Sequence, residues 1–210
     1  MSESGRGSGT GASPLLRVTV FGPESTGKTT LARHLSRRFG GLYMPEFGRV
    51  YTHALGIEEA DWQPHQLAEI ASQHDMLRDE IEARGGARLV VEDTDVVKTA
   101  IWSDLLCETR DPGYDWDRAA LPDLYLLLTP ETPFVQDVIR MHARQARREA
   151  FFARCIVELK RRGARYTVIE GADFDQRTRK AEEHVNDLLA HKETSAGAPD
   201  WAASAGPQGR

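Results

Sequence analysis

Apolar residues fall into two alternating kinds of segment along the chain. Short, nearly continuous runs rich in Val, Leu, Tyr and Phe occupy residues 17–21, 42–44, 88–92, 124–128 and 166–169. Runs of that length and composition read as strands buried on both faces. Between them apolar positions recur with helical period. Leu67, Ile70, Ala71, His74, Leu77 and Ile81 stand at i, i+3, i+4, i+7, i+10 and i+14, one face of a helix ended by Gly85 and Gly86. Phe151, Phe152, Cys155, Ile156 and Leu159 mark another helix that stops near Gly163, and Ala181, Val185, Leu188 and Leu189 mark the last. Strand then helix, about five times over, predicts a parallel sheet covered on both faces, a three-layer α/β fold.

The periodicity fades at both ends. Residues 1–14 and 193–210 hold seven of the 18 glycines and are expected to be disordered tails, leaving one folded unit over residues 15–192. No repeat is visible within it. With 27 Lys plus Arg against 32 Asp plus Glu, the net charge of −5 argues against a surface built to coat nucleic acid or an anionic membrane. No signal peptide is recognisable, and the longest nonpolar run, residues 124–128, falls far short of the ~20 residues a membrane span needs. A soluble cytoplasmic protein is the expectation. Cys107 and Cys155 have no metal-ligand spacing and read as ordinary buried thiols.

Directly after the first strand comes Gly22-Pro-Glu-Ser-Thr-Gly-Lys-Thr, which satisfies GxxxxGK(S/T), with Leu31 and Leu35 on the helix that follows. In that setting Gly22 and Gly27 let backbone N–H groups curl around phosphate oxygens at a positive helix N-terminus, with Glu24, Ser25, Thr26 and Thr30 forming the rest of the loop and its exit. Lys28 is expected to hold the β- and γ-phosphates of ATP, and Thr29 to ligate Mg²⁺. Glu24 is unusual, since a carboxylate inside a polyanion-binding loop is repelled by its ligand. It points to a second substrate or to a neighbouring cation, or else into solvent.

The chain lacks the Asn/Thr-Lys-x-Asp guanine motif and is short for a large ATPase machine, so a small kinase is expected, and three further features bear on it. Asp93, after a buried strand, sits where side chains project into the ligand crevice and suits metal binding or proton abstraction; Asp95 beside it suits the site or the N-cap of the next helix. Glu46, after the second strand, suits proton acceptance from a substrate hydroxyl, with Arg49 steadying phosphate, or else a structural pair with Arg49. Arg140, His142, Arg144, Arg147 and Arg148 form a basic run in an otherwise acidic chain, either a solvated helix face or a helical, arginine-rich lid that closes over ATP.

Gly22-Pro-Glu-Ser-Thr-Gly-Lys-Thr-Thr-Leu-Ala, Pro45-Glu-Phe-Gly-Arg-Val-Tyr51, Glu69-Ile-Ala-Ser-Gln73, Asp93-Thr-Asp95, Pro133-Phe-Val-Gln-Asp137 with Arg140, and Arg148-x-x-Phe151 together resemble the ribosylnicotinamide kinase domain of NadR-type proteins. The resemblance implies a P-loop NTPase fold whose five-stranded parallel sheet has core order 2-3-1-4-5, with a lid after the fourth strand. It implies transfer of the ATP γ-phosphate to the 5′-hydroxyl of nicotinamide riboside, yielding nicotinamide mononucleotide for NAD salvage. Family roles carry to Lys28 and Thr29, to Glu46 and Arg49 on the acceptor side, to Asp93 as metal ligand or base, and to Arg140 and Arg148 in the lid. The chain departs from the pattern at Gln136-Asp137-Val138, where relatives often carry Asp-Asp-Gly, which puts lid geometry in question. No H-x-G-H motif occurs and only 14 residues precede Leu15, so adenylyl transfer and DNA binding are not expected.

A cationic nicotinamide ring calls for aromatic faces and negative potential. Tyr51, Trp102, Tyr114 and Trp116 are the candidate walls, the last two within the acidic stretch from Asp111 to Asp117; core packing and a plain acidic loop are the competing readings. The remaining alternatives are a kinase for another nucleoside or small molecule and a non-catalytic ATP-binding regulator.

Overall fold

The computed structural model describes residues 15–57, 61–131 and 138–196, with side chains described in all of these but 138–144 and 193–196. β1 (Leu16–Phe21), β2 (Leu42–Met44), β3 (Leu89–Asp93), β4 (Leu124–Leu128) and β5 (Tyr166–Ile169) pair in parallel, in the order β2-β3-β1-β4-β5. The fold class and strand order expected from the sequence are both observed. Two-residue alternation divides the sheet: Leu16, Val18 and Val20 of β1 with Leu124, Leu126 and Leu128 of β4 pack under α1 (Lys28–Arg38) and α6 (Phe174–Ala196). Phe21, Tyr125 and Leu127 turn to the other face, against α4 (Val96–Leu106) and α5 (Val138–Arg161).

The sheet is not wholly apolar. Arg17 and Glu92 are buried on the face opposite α1, 3.5 Å apart, and Arg17 also donates to the carbonyls of Ala120 (3.1 Å) and Leu121. Those bonds tie the segment leading into β4 to the sheet. β3 runs one residue later than the apolar run suggests, so Asp93 is the strand's last residue instead of following it. α5 continues unbroken through Phe151, Cys155 and Leu159, which anchor it in the core. Arg148 therefore lies on a continuous helix that is packed into the core from Phe151 onward. Of the expected tails, residues 1–14 and 197–210 lie outside the described residues, and α6 extends to Ala196, past the expected boundary at residue 192.

α2 (Phe47–Leu55) packs on α3 (Pro64–Arg84), which packs in turn on α4, with a third core cluster of Leu67, Ile70, Ala71, Val96 and Ala100 between α3 and α4. Trp116 completes this cluster, which corrects its reading as a substrate wall. The indole is only 6 % exposed, and its Nε1 donates to the Asp111 carbonyl at 2.8 Å. Tyr114 meets Trp116 edge-on at 4.8 Å and donates its hydroxyl to Asp75 on α3. Both rings thus pin the stretch before β4 to the scaffold. Cys155 is buried and Cys107 only partly so; both are free thiols. Among the described residues no helix is long and apolar enough to cross a membrane.

Trp116→Ala is expected to destabilise the protein by about 3 to 5 kcal/mol, the usual cost of emptying a buried aromatic site. Urea unfolding measures this, and an unchanged midpoint would return the ring to a dispensable surface.

Candidate active site

The turn between β1 and α1 is built from positive φ angles: Gly22 at 128°, Ser25 at 56° and Gly27 at 86°. A Cβ on Gly22 would lie 2.6 Å from the Leu128 carbonyl oxygen, so glycine is required by backbone shape and by close approach of β4. Thr26 Oγ1 donates to the Pro23 carbonyl at 3.0 Å, and Lys28 Nζ folds back onto the same carbonyl at 2.5 Å. No side chain caps the first turn of α1, leaving its N–H groups for an anion. Buried Arg177, on α6, braces the loop through the Thr26 carbonyl (3.1 Å) and the Thr129 carbonyl (2.8 Å). Glu24, Ser25 and Thr30 are exposed.

Thr29 Oγ1 donates to Asp93 Oδ2 at 2.5 Å, and Tyr43 donates to the same oxygen at 3.4 Å. Asp93 Oδ1 is buried and has no hydrogen-bond partner among the described residues. A hydroxyl beside a carboxylate with one buried unsatisfied oxygen is a donor set suited to a hard divalent cation. The residues fit Mg²⁺.

A cleft of about 890 Å³ opens from this loop. Pro23, Glu24, Ser25 and Lys28 form one end, Glu46 and Arg49 enter from the start of α2, and Arg148 and Phe151 enter from α5. Glu46 precedes α2 in an extended conformation and does not cap it. Its Oε1 instead meets Lys98 Nζ at 2.8 Å, and its Oε2 meets Arg49 at 3.3 Å. Burial pushes the Glu46 carboxyl up, but Lys98, Lys28 and Arg49 outweigh it and hold the group below the usual carboxylate range. Burial, aided by repulsion from Lys98, lowers Lys28 to about 7 against the attraction of Glu46, Asp93 and Glu24. Without a polyanion the loop lysine is poised between charged and neutral.

Trp102 of α4 lines the cleft and packs on Phe151 at 4.8 Å. Tyr51 does not line it. Its ring stacks on Trp62 at 6.4 Å and its hydroxyl donates to Glu69, so it backs the tryptophan that does. Tyr114 and Trp116 lie outside the cleft lining, as their core roles require. Asp95 borders the cleft but acts as the N-cap of α4. Its Oδ1 accepts from the N–H groups of Val97 (3.1 Å) and Lys98 (3.3 Å), and its Oδ2 accepts from the Tyr125 hydroxyl. Arg140 lies on the backbone of α5, and its side chain is outside the described residues.

A family model for an AAA domain matches residues 17–177. The chain belongs to that AAA domain family. It is 28 % identical over 180 residues to the trifunctional NAD biosynthesis/regulator protein NadR of Salmonella typhimurium, covering 83 % of this chain and 43 % of that protein. The chain thus spans less than half the length of this curated relative. A crystal structure of a NadR protein in complex with NR superposes with a TM-score of 0.68 at 23 % identity, over 84 % of this chain and 52 % of that one. Thymidylate kinase from Candida albicans superposes at 0.55 and 13 % identity, over 85 % and 94 %. The NadR-type resemblance read from the sequence is borne out, and the fold is that of P-loop kinases.

Within this AAA domain, sequence reasoning missed Lys98, Trp62 and Arg177. Lys98 left one signal, a lone charge within Val96-Val97-Lys98-Thr99-Ala100-Ile101. Trp62, just before α3, and Arg177, among the charges of α6, left none.

Because burial depresses Lys28, the unfolded chain binds more protons than the folded one between about pH 7 and the ordinary lysine value of ~10.4. Stability of the ligand-free protein contributed through this group therefore rises with pH across that window. Lys28→Met, which removes the buried ammonium, is expected to raise the melting temperature at pH 7 and to lose that advantage toward pH 10. A pH-independent difference in thermal melts would refute the depressed lysine.

Proposed function

We propose that this AAA domain transfers the γ-phosphoryl group of ATP to the 5′-hydroxyl of nicotinamide riboside, giving nicotinamide mononucleotide and ADP. The observation that carries the reading is the meeting, in one cleft, of the Lys28 loop and the carboxylate Glu46, with the Thr29–Asp93 pair at 2.5 Å beside that loop. A phosphate-binding end and an acceptor-activating end are then a few side chains apart, the layout that phosphoryl transfer between two bound substrates needs.

In this reading the N–H groups from Glu24 to Lys28 wrap the nucleotide phosphates, and arrival of that polyanion fixes Lys28 in its charged form. Mg²⁺, held by Thr29 and Asp93, would neutralise charge on the β- and γ-oxygens when bound. Glu46 accepts the proton of the acceptor hydroxyl as the new O–P bond forms and the bond to the ADP oxygen breaks. Arg148 from α5 steadies the negative charge in flight, and the family resemblance assigns Arg140 the same role. Trp62 and Trp102 offer faces to a cationic ring, an attraction of ~0.5 to 2 kcal/mol per contact. Tyr51 supports the first of them.

ADP release measured over a panel of nucleosides tests the reading. Nicotinamide riboside is expected to be phosphorylated far better than its neutral reduced form or uridine, and equal efficiency on all three would make the chain a general nucleoside kinase. Lys28→Ala is expected to lower kcat by about 100-fold or more with the fold intact. Near-normal turnover in that variant would remove the kinase assignment. Glu46→Gln is expected to slow transfer at unchanged Mg²⁺ dependence, whereas Asp93→Asn raises the Mg²⁺ requirement; the reverse pattern in a Mg²⁺ titration would exchange the two roles.

A further inference from the structure

The two oxygens of Glu46 have unlike partners. Oε1 meets Lys98, whose side chain is 5 % exposed, while Oε2 meets Arg49, which is 70 % exposed. Lys98 stands in the first turn of α4, next to the buried N-cap Asp95 and among core residues Val97 and Ile101, so it has little room to move. Arg49 lies on the surface of α2 and is free to rotate at small cost.

We propose that Lys98 is a positioning residue for the acceptor step: it anchors Oε1 and keeps Glu46 ionised, leaving Oε2 to receive the substrate hydroxyl when Arg49 swings away. This deepens the kinase reading above and rests on it. A buried ammonium is costly without a counter-charge, so the pair constrains both partners, and a carboxylate pinned at one oxygen presents the other in a fixed direction. The rest of the cleft does not replace this anchor. From the phosphate loop and β3, Lys28, Glu24 and Asp93 act on the charge balance. Arg49 and His53 come from α2, His74 from α3, and Arg147, Arg148 and Arg154 from α5. Burial pushes His74 down to about 4, below the range in which an unpaired Glu46 would titrate. Cys155 of α5 is pushed up to about 12 by burial, above it.

The test is the pH profile of kcat/KM for the riboside in the parent and in Lys98→Met, with Lys98→Gln as a second neutral variant should the first not fold. The acid limb is expected to move upward by about 1 to 3 pH units, the usual effect of removing an adjacent opposite charge. The loss in kcat/KM is then concentrated at low pH, largest near pH 5, and shrinks toward pH 8.5, while KM for ATP stays within about twofold. Lys98→Arg should restore the limb in part. Carboxyl ¹³C NMR of the ligand-free protein, with the Glu46 signal identified by its loss in Glu46→Gln, reads the same upward shift without turnover. An unmoved Glu46 signal and an unmoved acid limb in a folded variant overturn the inference. If the parent phosphorylates no nucleoside, the kinase reading fails, and the NMR titration still decides whether Lys98 holds Glu46 ionised.

Discussion

Two lysines withdrawn from water at one end of a parallel sheet impose the constraint around which the rest of the structure is arranged. Lys28 and Lys98 repel each other across the cleft floor strongly enough to depress Lys28 further, and neither ammonium is stable there without negative partners. Lys98 is answered within the protein by Glu46, held at 2.8 Å. Among the described residues Lys28 is answered by the Pro23 carbonyl and by more distant carboxylates. The cleft is thus internally neutralised on one side and under-neutralised on the other, and that imbalance selects for an anion at the loop.

The sheet makes this arrangement cheap. Strand order β2-β3-β1-β4-β5 sets β3 beside β1, and the register Val20↔Asp93 brings the end of β3 level with the exit of β1. Asp93 therefore meets Thr29, 64 positions away in sequence, with no special loop. β2 on the far side of β3 delivers Glu46 to the same edge, with Met44 paired to Glu92. All three functional segments leave the sheet at its carboxyl edge, where helix N-termini also gather, so the field there favours negative ligands.

Legibility in the sequence followed the range of the forces involved. Strands buried on both faces need continuous apolar runs, which is why β1, β3 and β4 could be placed to within one residue and the fold class inferred. The phosphate loop was legible because its backbone geometry demands glycine at fixed positions. Trp116 and Tyr114 were misread because an aromatic residue among carboxylates looks the same whether its ring enters a cleft or a neighbouring core; only the contact with α3 decides it. Arg177 acts through partners far along the chain, the Thr26 and Thr129 carbonyls, and Trp62 through the Tyr51 ring on α2. No local pattern encodes such meetings. Lys98 was detectable as a charge in an apolar helix, but its partner 52 positions earlier was not.

In the proposed transfer Glu46 acts as a base held by two cations, and at first sight it is poorly suited to deprotonate an alcohol. The objection loses force for phosphoryl transfer, whose loose transition state leaves the attacking hydroxyl with most of its proton until bond formation is advanced. What the step needs is an acceptor that is ionised beforehand, correctly aimed and shielded from water, and that takes the proton only once the attacking oxygen has become strongly acidic. Lowering the Glu46 pKa gives up basicity that this chemistry uses late and secures ionisation and aim that it uses from the start. The same reasoning explains why the loop lysine can rest near neutrality. In the proposed transfer its charge is needed only with the polyanion bound, and the polyanion itself restores it.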